Sequence, residues 1–526
     1  MRAAVAVLAL LATQAEAVDK SKFRRCQDTA FCKRHRTPDT APPAFAVEAD
    51  SLTQHGADGV TARLVGGVPG APALLLSAQF YDNGVARVKV TESQNAHLRW
   101  ETQDVLQDSA LTPVAPTLLA ANDASVPAAI KDDTTRVNLQ FTPKAVLSLR
   151  LSPFGVELYV DGEASVRANA RGLFHFEHHR ERGGAVAAAA TEEHHCDDGF
   201  AWAGSECKEI VGYWEDGLAR FEDGSKEVKT ASTVEVDETD DSLWDESFGG
   251  HRDSKPFGPM SVGMDIDFPG ARHLYGIPEH ASNFVLQTTT GTNAHFRDPY
   301  RLYNLDVFEY ELDQPMALYG AIPVIYAHTS RQTVGAFWFS SSETFVDISD
   351  GGANGMGSHW ISESGLVDLM LLSGPTPLDV FRQFTQLTGT QELPPLFALG
   401  YHQCRWNYKD EKDVALVHGK FEELDIPYDV LWLDIEHTDG KRYFTWDESL
   451  FPNPVEMQQN ISAQGRKMVT IIDPHIKRDT GYRIHTEATD LGLYIKDKDG
   501  GDYDGWCWPG SSSYLDFTEP RVRQWW

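Results

Sequence analysis

The 526-residue chain is poor in basic residues: it has 46 Lys and Arg against 77 Asp and Glu, which gives a formal net charge of −31. A surface of this sign repels phosphate backbones and anionic lipid, so nucleic acid and membrane surfaces are disfavoured as partners. Beyond residue 17 the sequence has no apolar run close to the roughly 20 residues that a membrane-spanning helix needs. It also lacks a glycine-rich phosphate loop, so a nucleotide cofactor is not expected.

The N-terminal 17 residues are the one apolar stretch that stands out. They combine a basic Arg2, an apolar run and a small-x-small ending, which is typical of a secretory signal peptide. Cleavage there would start the mature chain at Val18. The sequence therefore predicts a protein of the secretory pathway without membrane insertion, where disulfides persist.

Cysteine is scarce, with six in the chain. Two pairs lie close in sequence and are candidate bridges, Cys26–Cys32 and Cys196–Cys207, although six cysteines allow many pairings. Cys404 and Cys507 look more like free thiols. The run His194-His195-Cys196 invites a metal site, but an acidic loop with a bridge explains it, and no metal is predicted. Asn460 begins an N-glycosylation acceptor, usable if its surface is exposed.

After a Cys-containing segment at 18–44, residues 45–375 are typical of an antiparallel β-sandwich. The runs 74–80 and 85–90 flank Asp82-Asn83-Gly84, whose Asn-Gly pair suits a tight hairpin turn. Alternating leucines from 147 to 151 and the run 156–160, which ends at Asp161-Gly162, predict further strands with one wet face. More strand patterns follow at 260–266, 317–324, 333–339 and 345–348. An acidic, polar stretch at about 183–255 predicts a long exposed insertion.

From residue 376 helical and strand patterns alternate. Helices are predicted at 377–388, 410–424 and about 455–464, and strands at 396–401, 428–434 and 467–473. Polar side chains follow each strand in turn: His402, Arg405 and Trp406, then Asp434 and His437, then Asp473 and His475. The carboxyl ends of parallel strands share the edge where ligands bind in α/β proteins, so the pattern predicts a binding cleft there.

Asp434 ends the apolar run 430–433, which is typical of a strand buried on both faces. Glu436 would lie on the same face of the strand, two residues further on. The alternative is that Asp434 caps the next element or pairs with a basic neighbour. Packing alone explains poorly why three strands deliver polar groups to one edge, so a binding role is favoured.

Several motifs resemble glycoside hydrolase family 31. Its N-terminal sandwich is matched by YGIPEHA (275–281) and PYRLYNLDVF (299–308), and the first part of its catalytic barrel by FALGYHQCRWNY (397–408), WLDIEHTDGKRYFTW (432–446), IIDPHIK (471–477) and DYDGWCWPG (502–510). The resemblance implies a multidomain protein in which a galactose-mutarotase-like antiparallel β-sandwich precedes the first three βα units of a (β/α)8 TIM barrel at 376–526, incomplete in this chain.

The same resemblance implies sugar-holding roles for particular residues. Asp434 matches an aspartate that accepts hydrogen bonds from glucose hydroxyls, and Asp306 matches a sandwich-loop aspartate that reaches into the cleft. Trp406 and Trp508 match aromatic walls of the cleft. Two weaker matches are Ile435 and Asp473. Glu436 is left between a place across the cleft from Asp434 and a structural hydrogen bond.

The implied activity is that of a retaining α-glucosidase which removes α-1,3-linked glucose from N-linked glycans in the endoplasmic reticulum lumen, without a cofactor. The implied partners are the N-glycan oligosaccharide and a lectin-like β subunit that carries the retention signal. Retaining enzymes use a nucleophile and an acid/base about 5 to 5.5 Å apart. Both are expected beyond Trp526, so no catalytic residue is predicted within the chain. The alternative is a secreted carbohydrate-binding protein that does not hydrolyse its ligand.

Overall fold

The structure is a computed structural model that describes residues 18–37, 44–66, 71–93, 99–102, 104–107, 111–179, 200–202, 207–209, 212–213, 219–221, 223, 243–307, 310–497 and 499–526. The chain divides into two compact units, Met1–Thr390 and Gln391–Trp526. The predicted signal peptide and Cys196 lie outside the described residues. No helix of the described part has the length and hydropathy that crossing a bilayer requires.

The described residues of the first unit are mainly β-strands. In chain order they are β1 (Phe45–Val47), β2 (Thr53–Gln54), β3 (Val60–Gly66), β4 (Leu74–Phe80), β5 (Val85–Glu92), β6 (Thr117–Leu119), β7 (Arg136–Gln140), β8 (Ala145–Arg150), β9 (Gly155–Val160), β10 (Glu163–Ala168), β11 (His175–Phe176), β12 (Phe200–Trp202), β13 (Cys207–Glu209), β14 (Gly212–Tyr213), β15 (Ala219–Arg220), β16 (Asp245–Phe248), β17 (His251–Ser254), β18 (Val262–Phe268), β19 (Leu274–Gly276), β20 (Tyr300–Leu302), β21 (Val324–His328), β22 (Thr333–Trp338), β23 (Thr344–Asp350), β24 (Met356–Ser362) and β25 (Val367–Leu372).

Two antiparallel sheets build a sandwich. One has the strand order β1-β3-β4-β5-β25-β22-β21-β19, with β2 on β3, and the other has the order β20-β23-β24-β18-β10-β9-β8-β7-β6, with β11 on β18. Side chains of both sheets, for example Leu76 from the first and Leu147 from the second, share one hydrophobic core. Three separate hairpins pair β12 with β13, β14 with β15 and β16 with β17. The predicted class of this part of the chain, an antiparallel β-sandwich, is therefore observed.

The turns predicted from the sequence lie where expected. Strands β4 and β5 form an antiparallel hairpin around Asn83-Gly84. Gly84 has φ +89°, and a Cβ at this position would lie 2.4 Å from the Ser373 hydroxyl oxygen, so both conformation and space require glycine. Asp161 and Gly162 also have positive φ, 49° and 81°, at the turn between β9 and β10.

Strands β8 and β9 differ from the expected pattern of one buried and one wet face. Their residues are buried on both faces, because Val146 and Tyr159 on the outer side pack against Leu119, Val126 and Ile130. The segment that covers them, residues 119–130, precedes β7 in the chain. Its packing is a tertiary contact that strand periodicity does not reveal.

The N-terminal segment is fastened to the sandwich. A disulfide joins Cys26 to Cys32, the first of the two candidate bridges, and Cys32 lies within a helix, α1 (Ala30–Arg36). Arg34 and His35 bind the Glu177 carboxylate at 2.9 Å each. The second candidate bridge includes Cys196 and stays a prediction.

The end of the predicted insertion is not fully exposed. Trp244 is buried, and the Glu246 carboxylate forms ion pairs with Arg24 and Lys255. Most of residues 183–242 lie outside the described part of the chain, so the insertion as a whole is untested. At its C-terminal end, however, one aromatic side chain and paired charges contribute to the folded unit.

Helix α2 (Pro377–Thr388) has the predicted bounds but belongs to the sandwich. Its N-terminus has a capping box between Thr376 and Asp379, with proline at the first helical position. Val380 and Leu387 are buried in a cluster with side chains of β21, β22 and β25. The first unit consequently runs through Thr390, past the predicted boundary at 375.

The second unit contains helices α3 (Glu411–Glu423), α4 (Pro454–Ala463), α5 (Arg483–Asp490) and α6 (Pro520–Trp525) and strands β26 (His402–Gln403), β27 (Val430–Leu433), β28 (Lys467–Thr470), β29 (His475–Lys477), β30 (Gly505–Cys507) and β31 (Gly510–Tyr514). Strands β26, β27 and β28 are parallel neighbours in that order. Val414 of α3 and Ile461 of α4 pack with Leu431 and Leu433 of the central strand. This alternation of parallel strands and helices is the predicted βα pattern.

Two parts of the second unit differ from the sequence prediction. The predicted strand at 396–401 is instead a short 3-10 helix, Leu396–Leu399, which follows Pro395. Leu396 and Leu399 are exposed, so no burial favours an extended conformation there. Strands β29, β31 and β30 form a small antiparallel sheet that was not predicted.

Candidate functional site

The parallel strands of the second unit bring polar side chains to one sheet edge. Val430 of β27 pairs with His402 of β26 and with Lys467 of β28, and all three strands run in one direction. Their carboxyl ends therefore lie at the same edge. The loops that leave this edge carry Trp406, Asp434 and Asp473.

Asp434 begins the turn that follows β27. One carboxylate oxygen, Oδ1, accepts the backbone N–H of Ile435 at 2.8 Å. The carbonyl oxygen of Asp434 lies 2.7 Å from His437 Nδ1, and burial lowers the pKa of this histidine. The second oxygen, Oδ2, has no hydrogen bond to any described residue. Asp434 therefore caps the turn with one oxygen while the other stays available to a ligand, so the capping alternative and the binding role are compatible.

Glu436 and Trp406 are hydrogen-bonded to each other. The indole Nε1 of Trp406 donates to Glu436 Oε1 at 2.7 Å, although 30 residues separate them in the chain. The Trp406 side chain is nevertheless 74% exposed. The bond fixes one edge of the indole while its faces stay open, which suits an aromatic wall. For Glu436 the structure shows the structural hydrogen bond, the second of the two predicted alternatives.

Asp473 accepts two hydrogen bonds through the same oxygen. The Tyr443 hydroxyl donates to Oδ2 at 2.5 Å, and Trp508 Nε1 donates to it at 3.1 Å. Burial, together with the bond to Asp473, raises the pKa of Tyr443. Asp473 thus orients the Trp508 ring, which explains why these two predicted residues lie together. Sequence reasoning missed Tyr443, whose only signal was its place within the 432–446 motif.

His475 lies among aromatic rings in the same part of the unit. Its ring centroid is 5.5 Å from that of Tyr443 and 5.2 Å from that of Trp508. Its Nδ1 lies 3.5 Å from the sulfur of Cys507, which is not bridged. Burial lowers the pKa of His475. The imidazole of His475 therefore packs in its neutral form against the rings of Tyr443 and Trp508.

The remaining predicted residues are less informative. Ile435 is half-buried, and its backbone N–H is the group capped by Asp434. Asp306 belongs to the first unit, where its exposed carboxylate accepts the Tyr319 hydroxyl at 2.7 Å. That Asp306 reaches the cleft stays a prediction. Asn460 is exposed on α4, as a glycosylation acceptor requires.

The chemistry of this group of residues favours a polyhydroxylated ligand. A carboxylate oxygen accepts hydrogen bonds from hydroxyl groups, and an open indole face packs on the apolar face of a sugar ring. Within the described part of the chain, no three His, Cys, Asp or Glu side chains are arranged to hold a metal ion.

Comparison with known proteins identifies the family. Residues 75–347 match the N-terminal galactose mutarotase-like domain of glycosyl hydrolase 31, and residues 391–526 match the TIM-barrel domain of glycosyl hydrolases family 31. Neutral alpha-glucosidase AB of Dictyostelium discoideum is 42% identical over 540 residues, a match that covers 99% of this chain and 54% of the relative.

Solved structures agree. The glucosidase II alpha subunit with bound Glc1Man2 has a TM-score of 0.76 and 33% identity, covering 96% of this chain and 52% of that one. The catalytic subunit of the ER glucosidase II heterodimeric complex was solved with the binding domain of its regulatory subunit. It also has a TM-score of 0.76 and 33% identity, covering 96% of this chain and 52% of that one. The chain thus spans about half the length of the relatives that it matches. The chain belongs to glycosyl hydrolase family 31.

Proposed function

We propose that this chain supplies the sandwich and the sugar-holding edge of a retaining α-glucosidase similar to glucosidase II. The substrate would be α-1,3-linked glucose on N-linked glycans. The family match supports the class of reaction, and a relative that is 42% identical is named neutral alpha-glucosidase AB. The linkage and the glycan are inferred from the resemblance of the motifs.

The observation that carries the proposal is the divided role of Asp434. One of its oxygens caps the Ile435–His437 turn, and this bond fixes the side chain at the end of β27. The other oxygen is left for the ligand, and its charge makes it a strong acceptor for a sugar hydroxyl. Such a bond accelerates hydrolysis if it strengthens as the sugar ring flattens towards the oxocarbenium-like transition state.

The other residues position the sugar. Glu436 holds the edge of Trp406, and Asp473 with Tyr443 holds the edge of Trp508, so both indoles are oriented before the ligand arrives. Prior orientation lowers the entropy lost on binding. The nucleophile and the acid/base of the retaining mechanism are not assigned to residues of this chain.

The location and the partner are part of the same proposal. The signal-peptide pattern of residues 1–17 directs the chain to the secretory pathway. One similar structure is a heterodimer of a catalytic subunit and a regulatory subunit. We therefore place the protein in the endoplasmic reticulum lumen with a regulatory β subunit. Secretion of the protein irrespective of such a subunit would contradict this.

Hydrolysis assays test the activity. Residues 18–526 expressed alone should not hydrolyse p-nitrophenyl α-glucoside above background, because we assign sugar-holding groups to this stretch and neither the nucleophile nor the acid/base. Turnover that an active-site inhibitor abolishes would overturn this assignment of roles.

Transcript sequencing separates the hydrolase from the alternative, a secreted carbohydrate-binding protein. A reading frame that continues past the codon for Trp526 into sequence that supplies the nucleophile and the acid/base supports the hydrolase. A stop codon at that point supports the binding protein.

A further inference from the structure

A cleft in the sandwich unit shares no residue with the candidate site. Its volume is about 260 Å³, and it is lined by residues 100–102, by the turn that follows β22 and by residues at the start of β25. It is lined by Trp100, Glu101, Thr102, Phe339, Ser340, Ser341, Ser342, Ser364, Gly365, Leu366 and Asp368.

The segment that carries Trp100 is held in place by its neighbours in sequence. Arg99 is buried and donates hydrogen bonds to the carbonyl oxygens of Met260 and Gly365 at 2.9 and 3.0 Å. It also forms an ion pair with Glu92 at 3.0 Å. A buried guanidinium with this many partners fixes the backbone next to Trp100.

The residues after Trp100 are also engaged. Glu101 forms an ion pair with Lys89 at 2.6 Å, and the Thr102 hydroxyl donates to Ser341 Oγ at 3.2 Å. Trp100 itself is 54% exposed, and its indole N–H donates to no other described residue. Of the four residues 99–102, Trp100 is therefore the one whose side chain is left for an outside molecule.

The rest of the lining is rich in hydroxyl groups, of which those of Ser342 and Ser364 bond to each other at 3.2 Å, and it carries no unpaired charge. It presents Ser340, Ser341, Ser342 and Ser364, while the one carboxylate on the floor, Asp368, is buried in a bidentate ion pair with Arg87. With Glu101 also paired, the cleft offers hydroxyl groups and an aromatic face to a neutral molecule. An ionic ligand would find no free countercharge among the lining residues.

We propose that this cleft binds neutral oligosaccharide, with one sugar ring packed on the indole of Trp100. A pyranose has an apolar face and a rim of hydroxyls, and this combination matches an exposed indole opposite serine hydroxyls. A second cavity of about 370 Å³ shares Ser340, Ser341 and Ser342 and contains the ring of Tyr303. The ligand can therefore extend over the serine turn and contact a second aromatic ring. This site requires no hydrolysis, so it stands independently of the proposed activity.

Ligand-observed saturation-transfer NMR on the full chain tests the proposal, with maltotriose and a high-mannose N-glycan as probes. The Trp100→Ala variant should weaken binding of at least one probe by about tenfold or more, because it removes the stacking face. The matched control is Phe284→Ala, which removes an aromatic side chain that is 85% exposed in the same unit and lies outside the cleft. All variants are made in the Asp434→Asn background, so that sugar bound at the candidate site contributes less to the signal.

A second variant guards against loss of folding. Ser341→Trp keeps Trp100 but fills the cleft, and it should weaken binding of the same probe to a similar extent while the melting temperature of both variants stays near that of the unmodified chain. Unchanged affinity in Trp100→Ala, or no saturation transfer with either probe, would overturn the proposal. Displacement of the sugars by an unrelated peptide at the same cleft would assign the site to a protein partner instead.

Discussion

The hydroxyl of Tyr443 lies 2.5 Å from the carboxylate of Asp473 and donates a hydrogen bond to it, across 30 residues of chain. The same oxygen accepts the indole N–H of Trp508 at 3.1 Å. Tyr443 in turn accepts, through its backbone carbonyl, the hydroxyl of Tyr482 at 2.8 Å. These contacts join four separate segments of the second unit, so their loss should lower the free energy of unfolding.

Tyr443→Phe removes only the hydroxyl. The ring stays packed and Asp473 keeps the donor from Trp508, but it loses the donor from Tyr443. We therefore expect the free energy of unfolding to fall by about 1 kcal/mol. Denaturant unfolding measures the change. Tyr401→Phe is the matched control, because the Tyr401 hydroxyl also donates a bond, 2.7 Å long, to Gln403 but the residue is exposed. Equal changes in the two variants would show that the Tyr443–Asp473 bond contributes no more to the free energy of unfolding than an exposed bond does.

Asp434→Asn separates binding from capping. Asparagine retains an oxygen that can accept the Ile435 N–H, so the melting temperature should change little. It loses the charge on the open oxygen, so in the proposed α-glucosidase that contains this chain kcat/KM should fall by on the order of 10², or about 3 kcal/mol.

Two further variants complete this experiment. Asp434→Ala should lose both stability and activity. Asp447→Asn is the control, since that carboxylate bonds only locally, to Ser449 and Leu450. If Asp434→Asn lowered the melting temperature while kinetics stayed near normal, the residue would be a structural cap and not a sugar ligand.

Protonation of Glu92 should lower the free energy of unfolding in acid. Burial opposes its ionisation, but Arg99 and the backbone N–H of His179 bind the carboxylate at 3.0 and 3.1 Å, and the ring of His178 lies 3.7 Å from it. Together these groups outweigh burial and lower the pKa of Glu92 to about 2. Because this pKa is below the unfolded value, the stabilisation is present above about pH 4.5 and is lost as the pH falls towards 2, on the order of 3 kcal/mol in total.

The test compares unfolding free energies of Glu92→Gln and the unmodified chain between pH 6 and pH 3. The variant should be less stable at pH 6 and should lose less on acidification. Glu101→Gln, which removes an exposed partner of Lys89, should leave the pH dependence unchanged. Parallel curves for Glu92→Gln and the unmodified chain would refute the prediction.

Arg36 should be essential to the attachment of the N-terminal segment. Its guanidinium binds the buried Asp347 carboxylate through two contacts of 2.9 Å and donates to the Thr289 carbonyl at 3.0 Å. Arg36→Ala leaves that carboxylate without its counter-ion, which should cost about 3 kcal/mol.

Denaturant unfolding, with limited proteolysis of residues 18–37, measures this effect. The control is Arg63→Ala, which breaks a solvent-exposed pair with Glu48 and should cost less than about 1 kcal/mol. Similar losses in the two variants would mean that burial of the Arg36 pair adds nothing.

Local sequence patterns predicted much of the architecture. The Asn83-Gly84 turn, the bounds of α2 and the order of β27, α4 and β28 follow from turn chemistry, capping residues and periodicity, which depend on neighbours in the chain. The same patterns placed Asp434 after a strand. They did not show that α2 covers the sandwich. An amphipathic pattern indicates that one face of a helix is buried, but it does not indicate which surface that face packs against.

The pairings within the site were decided by the tertiary structure alone. Trp406 and Glu436 are separated by 30 residues, as are Tyr443 and Asp473, and no periodicity links such positions. Their contacts exist because parallel pairing of β26, β27 and β28 brings the following loops to one edge. The sequence by itself determined which residue types stand at the strand ends. Only the fold decided which oxygen of Asp434 is used for capping and which is free, because that choice depends on the backbone N–H positions of the turn it begins.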